Sequence, residues 1–232
     1  MARSRQPGPR SRAQNGPVAG ELAGNGADSG DTRKLKGTGV TTAGQVDETY
    51  IGGPEKRPIV IVAYRPEWAD RFAAEHATIR RALGPTALRV EHIGSTSVPG
   101  LGAKPIIDIQ VAVPDITADE AFVAPLLAAG YTVRVRERGV HWMFRTAEQD
   151  VHIHVCGAGG DWEYRHLLFR DWLRHDPEDR ARYEAAKRAL AALDWPSTAH
   201  YSNAKSSIIT EITARAVPWA AATGWTVPAA CA

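Results

Sequence analysis

The sequence predicts an α+β fold: a mixed β-sheet with flanking helices, followed by a C-terminal helical segment. Three observations predict it. Short β-branched runs with period-two alternation cluster between residues 58 and 156. Two helical patterns interrupt them, at 67–83 and 118–129. From residue 161 onward the apolar spacing becomes helical and stays so.

Each element has its own signal. Residues 1–46 are rich in Gly, Ala, Ser, Arg and Pro and nearly lack large apolar side chains. They cannot bury enough surface to offset their ordering entropy, so they read as a disordered tail, its basic residues solvated. The domain is expected over 47–218, with a loose tail at 219–232. Residues 58–63 form a β-branched run that reads as a strand. Residues 67–83 read as a helix with Trp68, Phe72, Ile79 and Leu83 on its apolar side, stopped by Gly84-Pro85. Strands at 88–93 and 105–113 flank a Gly-Ser loop. The helix at 118–129 closes at Gly130. Strands at 131–137 and 141–146 join through a turn at Gly139, and 149–156 is a further strand. The helices at 162–174, 177–193 and 202–216 follow. Pro177, Glu178 and Asp179 suit the first turn of the second. Trp162, Trp172, Tyr183 and Trp195 sit at helical spacing or helix ends and read as core.

The bulk numbers exclude several classes. A chain of 232 residues, 44% hydrophobic and 23% charged, is ordinary for one globular domain with a tail. A net charge of +2 gives no argument for nucleic acid or a membrane surface. No apolar run approaches the roughly 20 residues that span a bilayer. The N-terminal arginines lack the apolar stretch of a secretory signal. The two cysteines, Cys156 and Cys231, form no disulfide framework, which fits a cytoplasmic setting.

The chemistry concentrates in residues 91–113, EHIGSTSVPGLGAKPIIDIQVAV. Gly94 and Ser95 open a small-residue loop that can bring backbone N–H groups and a hydroxyl up to a phosphate. Thr96 lies in the same loop and Lys104 at its end. Strand parity places Asp108 and Gln110 on one face of the second strand, opposite Ile107, Ile109 and Val111. It likewise places Asp150, His152, His154 and Cys156 on one face of 149–156. If these strands neighbour one another, the polar faces merge around Asp108. An ionised carboxylate flanked by isoleucines needs a metal or an ion-pair partner such as Lys104 or Arg89. His152, His154 and Cys156 have the ligand types of a transition-metal hydrolase, with His141 or Asp150 to complete the set. Their spacing is not a standard zinc motif, and zinc is disfavoured. His92 precedes the loop and is expected just behind the site. Lys205 follows Tyr201 by four residues, on one face of the last helix.

Gly94-Ser95, then twelve residues, then Asp108 in an apolar strand resembles the signature of the nucleotidyltransferase superfamily. More closely, EHIGSTSVPGLGAKPIIDI, Tyr64-Arg-Pro-Glu-Trp68, Asp150-Val-His-Ile-His-Val155, LLFRDWLRHDPEDRARYEAAKRAL and Tyr201-Ser-Asn-Ala-Lys205 resemble the GrpB family. That family also occurs fused to dephospho-CoA kinase. The resemblance runs from about residue 47 to about 216 and implies a nucleotidyltransferase-like fold. It implies that Gly94 and Ser95, with Thr96, Lys104, Tyr201 and Lys205 around them, hold the phosphates of a nucleoside triphosphate. It implies Asp108 as a Mg²⁺ ligand. Gln110 stands where such enzymes carry a second carboxylate, and His154, or Asp150 in another register, stands at the third position. The expected activity is transfer of a nucleotidyl group to an unknown small acceptor. The alternative is a catalytically degenerate module that binds a nucleotide or a protein partner.

Overall fold

The computed structural model of the chain describes residues 50–230. The expected tail at 1–46 lies outside the described residues. Five strands form one mixed sheet: β1 (Arg89–Ile93), β2 (Ile107–Val113), β3 (Thr132–Glu137), β4 (His141–Arg145) and β5 (Val151–Gly157). Their spatial order is β1-β2-β5-β4-β3. β2 and β5 run parallel at its centre, and the other neighbours are antiparallel. Among the described residues six α-helices accompany the sheet: α1 (Glu67–Leu83), α2 (Val123–Ala128), α3 (Asp161–His175), α4 (Pro177–Ala191), α5 (Thr198–Ala204) and α6 (Ser206–Thr223). The expected α+β class is the one observed.

Parity along the strands divides the sheet into two unlike faces. Ile107, Ile109 and Val111 of β2, with Ile153 and Val155 of β5, pack against Trp68 and Ile79 of α1 and Leu126 of α2. Each such side chain, once fully buried, contributes about 1.5–3 kcal/mol. The even-numbered residues of β2 and β5 point the other way, toward α3. A second apolar cluster joins Leu168 and Leu173 of α3 to Ile212 and Ala216 of α6. Val98 and Leu101, from the loop after β1, are fully buried in it. The loop is therefore fastened to the helical layer at its middle and to the sheet at its ends.

Four expectations are corrected. Residues 58–63 are not a sheet strand. Only Val62 pairs, exchanging two 2.9 Å hydrogen bonds with Ala103, and Arg188 takes the carbonyl of Ile61. The 118–129 helix is broken into a 3₁₀ turn, Asp119–Ala121, and α2. Pro125 explains the break: its ring would meet the carbonyl four residues back, so the α-helix starts late enough to place Pro125 in its first turn. The helix expected at 202–216 is two helices, α5 and α6, meeting at Lys205. α6 then continues past Pro218 to Thr223 because Trp219 and Trp225 pack on the second cluster. Residues 219–223 are therefore helical rather than loose, and Gly224 caps them at φ 68° with its N–H on the Ala220 carbonyl.

Candidate functional site

The parallel pairing of β2 with β5 places Asp108 opposite His152 and Gln110 opposite His154. The polar faces merge, as parity predicts. Asp108 Oδ1 lies 3.5 Å from His152 Nδ1 and 3.5 Å from His154 Nε2. Burial alone would raise the Asp108 carboxyl. The two histidines outweigh it and hold the group well below the ordinary carboxylate range. On its far side, His154 Nδ1 shares a 3.0 Å hydrogen bond with His141 Nε2. His141 stacks on Trp162 of α3 at 4.8 Å, and His166 stacks on the same indole at 3.7 Å. Burial first, then neighbouring imidazoles, push His141 down to about 2. Burial pushes His166 down to about 4. Both rings are neutral at physiological pH.

The loop after β1 forms the other wall. Gly94 has φ 67° and ψ −173°, a region in which essentially only glycine is found. Its backbone crosses directly over Asp108. Thr96 is turned inward: its hydroxyl donates to the Ile106 carbonyl at 3.1 Å and meets His92 Nε2 at 3.0 Å. Thr96 therefore closes the loop, and its hydroxyl is taken up by Ile106 and His92. His92 faces the apolar side of the sheet, stacked on Phe72, and burial pushes it down to about 4. It buttresses the loop from beneath. Arg174 of α3 clamps the loop from above, donating twice to the Ser97 carbonyl at 3.1 and 2.9 Å.

Three lysines converge here. Lys187 of α4 donates to Ser95 Oγ at 2.9 Å and to the Gly102 carbonyl, bridging both ends of the loop. It is 3% exposed. Burial first, then the charges of Lys205, Arg188 and Lys104, push it down to about 7, with Glu184 opposing. Lys104 and Lys205 both lie over the Tyr201 ring, at 5.4 and 5.0 Å from its centre. Both are lowered by burial, Lys104 also by Lys205, while Asp108 opposes each shift. Among the described residues none of the three ammonium groups pairs with a carboxylate. Unpaired, partly desolvated cations beside a hydroxyl-bearing loop have the chemistry to attract a polyanion.

The structure thus brings together Gly94, Ser95, Lys104, Asp108, His154, Tyr201 and Lys205. It leaves out Asp150, which meets Thr146 and Arg71 instead, and Cys156, which is buried beyond His154 and pushed up to about 12. Gln110 shares the face but is 1% exposed, and neither end of its amide has a hydrogen-bond partner. Lys187 and His166 escape a reading of the sequence for function, His152 enters it only as a metal-ligand type beside His154 and Cys156, and Trp162 and Tyr183, read as core, border the site. The i,i+4 pairing of Tyr183 with Lys187 on α4 is a signal that points toward the loop.

Magnesium takes oxygen ligands in near-octahedral geometry. One carboxylate, two imidazoles and a buried neutral amide do not fit the two magnesium ions of a nucleotidyl transfer site.

The family model described as GrpB protein matches residues 58–215. A UPF0157 protein of Streptomyces coelicolor is 51% identical over 166 residues, covering 72% of this chain and 88% of its own length. A dephospho-CoA kinase of Mycolicibacterium paratuberculosis is 36% identical over 200 residues, covering 73% of this chain and 49% of the kinase. Among solved structures, the conserved protein GrpB from Enterococcus faecalis aligns with a TM-score of 0.61 and 31% identity, covering 68% of this chain and 98% of that one.

Proposed function

The chain belongs to the GrpB family, and from that premise we propose that it binds a nucleoside triphosphate and transfers its nucleotidyl group to a small acceptor. The observation that carries this reading is the convergence of Lys104, Lys187 and Lys205 on the Gly94–Ser95 loop without a carboxylate partner. The likeness of the Gly-Ser loop and Asp108 strand to nucleotidyltransferases adds the reaction class. In such a transfer an acceptor oxygen attacks the α-phosphorus, and the bond to the bridging oxygen breaks. Pyrophosphate leaves with the negative charge. The three ammonium groups are placed to stabilise that charge, and Ser95 Oγ to hold a phosphate oxygen.

Calorimetric titration with ATP, GTP, CTP and UTP, with and without Mg²⁺, tests the binding step. The expected result is triphosphate binding that weakens at least about tenfold in Lys205→Ala, the loss of one charge-assisted contact. No binding of any nucleotide, or binding indifferent to Lys205, overturns the proposal.

A specific observation favours a second reading. Gln110 fills the place of a second carboxylate with a buried neutral amide, as in a module that holds a nucleotide or a protein partner without turning it over. The match to a dephospho-CoA kinase suits a partner role. Nucleotide binding with no pyrophosphate release across an acceptor panel selects this reading over the first.

A further inference from the structure

We infer that Asp108, His152 and His154 form a site for a single divalent transition-metal ion, with a further position open to water or a substrate oxygen. This assignment does not rest on the nucleotide reading and would hold if no nucleotide bound.

The geometry of the three side chains carries it. Their ligand atoms all lie within 4.8 Å of one another. Both imidazole nitrogens stand 3.5 Å from the same oxygen, Asp108 Oδ1. A charge-assisted N–H···O bond closes to about 2.7–2.9 Å, so neither contact has the length of one. The spacing suits a shared ion: with metal–ligand bonds of about 2.1 Å, the edge of a tetrahedron is about 3.4 Å.

The surroundings hold the ligands in place. Asp108 and His152 are register partners on adjacent parallel strands, and His152 and His154 share a face two residues apart. His154 Nδ1 is engaged by His141 Nε2 at 3.0 Å, which fixes the ring and aims Nε2 at Asp108. His141 is itself held by stacking on Trp162. Gly94 lies against Asp108 Oδ2, leaving Oδ1 as the oxygen that both histidines approach. The ligand side chains keep 31%, 22% and 17% of their surface exposed, so an ion can enter and a fourth ligand can reach it.

The donor set names the class of ion. Two imidazoles and one carboxylate suit zinc, iron, cobalt or nickel, whereas magnesium and calcium require oxygen. The sequence disfavours zinc on His152, His154 and Cys156. The structure supplies a different third ligand, Asp108 from the neighbouring strand, and removes Cys156.

The test uses the untagged full chain, dialysed against chelator, without nucleotide. It is titrated with Co²⁺ alone and followed by visible absorption. The expected result is one Co²⁺ per chain with the intense absorption of a low-symmetry four- or five-coordinate ion, displaced by Zn²⁺ and not by excess Mg²⁺. His152→Ala, at the most accessible of the two histidines, should lower Co²⁺ affinity by more than about tenfold with an unchanged thermal midpoint. His141→Phe keeps the stack on Trp162 and should lower it by about 10–100-fold at the same stoichiometry, as loss of an orienting partner does. No Co²⁺ absorption, a spectrum indifferent to His152→Ala, or displacement by Mg²⁺ overturns the assignment. None of these outcomes bears on nucleotide binding by the lysines, so the two proposals fail separately.

Discussion

A methyl group on Gly94 would lie 2.5 Å from Asp108 Oδ2 and 3.0 Å from Asp108 Cβ. The loop backbone and the carboxylate are therefore fitted to each other, and only glycine allows that approach. Gly94→Ala adds this overlap to a backbone conformation that other residues avoid. It should cost on the order of 3 kcal/mol and disturb Asp108 directly. Gly100 also has a positive φ, of 79°, but open space where its Cβ would go. Gly100→Ala should cost only about 1–2 kcal/mol. Urea denaturation of both variants checks the difference. Equal losses would mean that backbone strain, and not contact with Asp108, sets the cost.

Glu163 ties α3 to the edge of the sheet. It is fully buried and accepts from Arg89 Nε at 2.6 Å, Arg89 Nη2 at 2.8 Å and the Gly159 N–H at 2.7 Å. Glu163→Ala strands the Arg89 charge and should destabilise by about 3–5 kcal/mol. Arg89→Met combined with Glu163→Leu should recover most of that loss, because the pair's desolvation disappears with its charges. A double variant no more stable than Glu163→Ala would sink this account.

The Gln110 amide is the most expendable polar group on the site face. Replacing it by the similarly shaped methionine removes two buried polar atoms that have no partner. Each such atom costs about 1–3 kcal/mol where it is not hydrogen-bonded. Gln110→Met should therefore hold or raise the thermal midpoint. A fall would show that the amide is hydrogen-bonded in solution through water, and would make it a positioning group for the site.

Much of this arrangement is legible in the sequence because strand parity is a local property. Alternation sorts Asp108 and Gln110 from their isoleucine neighbours, and His152 and His154 from Val151 and Ile153. It does not say which histidine stands opposite Asp108, because parallel register is set by connections many residues away. The run at 58–63 has strand propensity but no neighbouring edge to extend along, so Val62 alone pairs. Lys187 reads as one more cation on a basic helix beside Arg182 and Arg188. Its burial arises only when the Gly94–Lys104 loop docks on α4, a tertiary event without a local mark. Trp162 has the spacing of a core residue but is half-buried and belongs to neither apolar cluster. The histidines stacked beside it come from β4, β5 and its own helix.

Lys187 should give the protein a pH dependence near neutrality. Its folded value is about 7, against an ordinary 10.5. Below pH 7 the folded and unfolded chains both carry its proton, and the cost of the buried charge is fully felt. Between pH 7 and 10.5 only the unfolded chain holds the proton. Stability from this group therefore rises with pH, by up to about 1.4 kcal/mol per unit. Lys104 and Lys205 are shifted in the same direction, so any share they add has the same sign. Lys187→Met should remove one proton's share of it. A polyanion bound at the loop favours the charged lysine, so triphosphate affinity should fall as pH rises above 7, by up to about tenfold per unit. In Lys187→Met that affinity should be weaker at pH 6 and flatter across the range. Stability curves and titrations from pH 6 to 9 check both effects. If wild type and Lys187→Met show the same slopes, the ammonium group bridging Ser95 and Gly102 is not the titrating group.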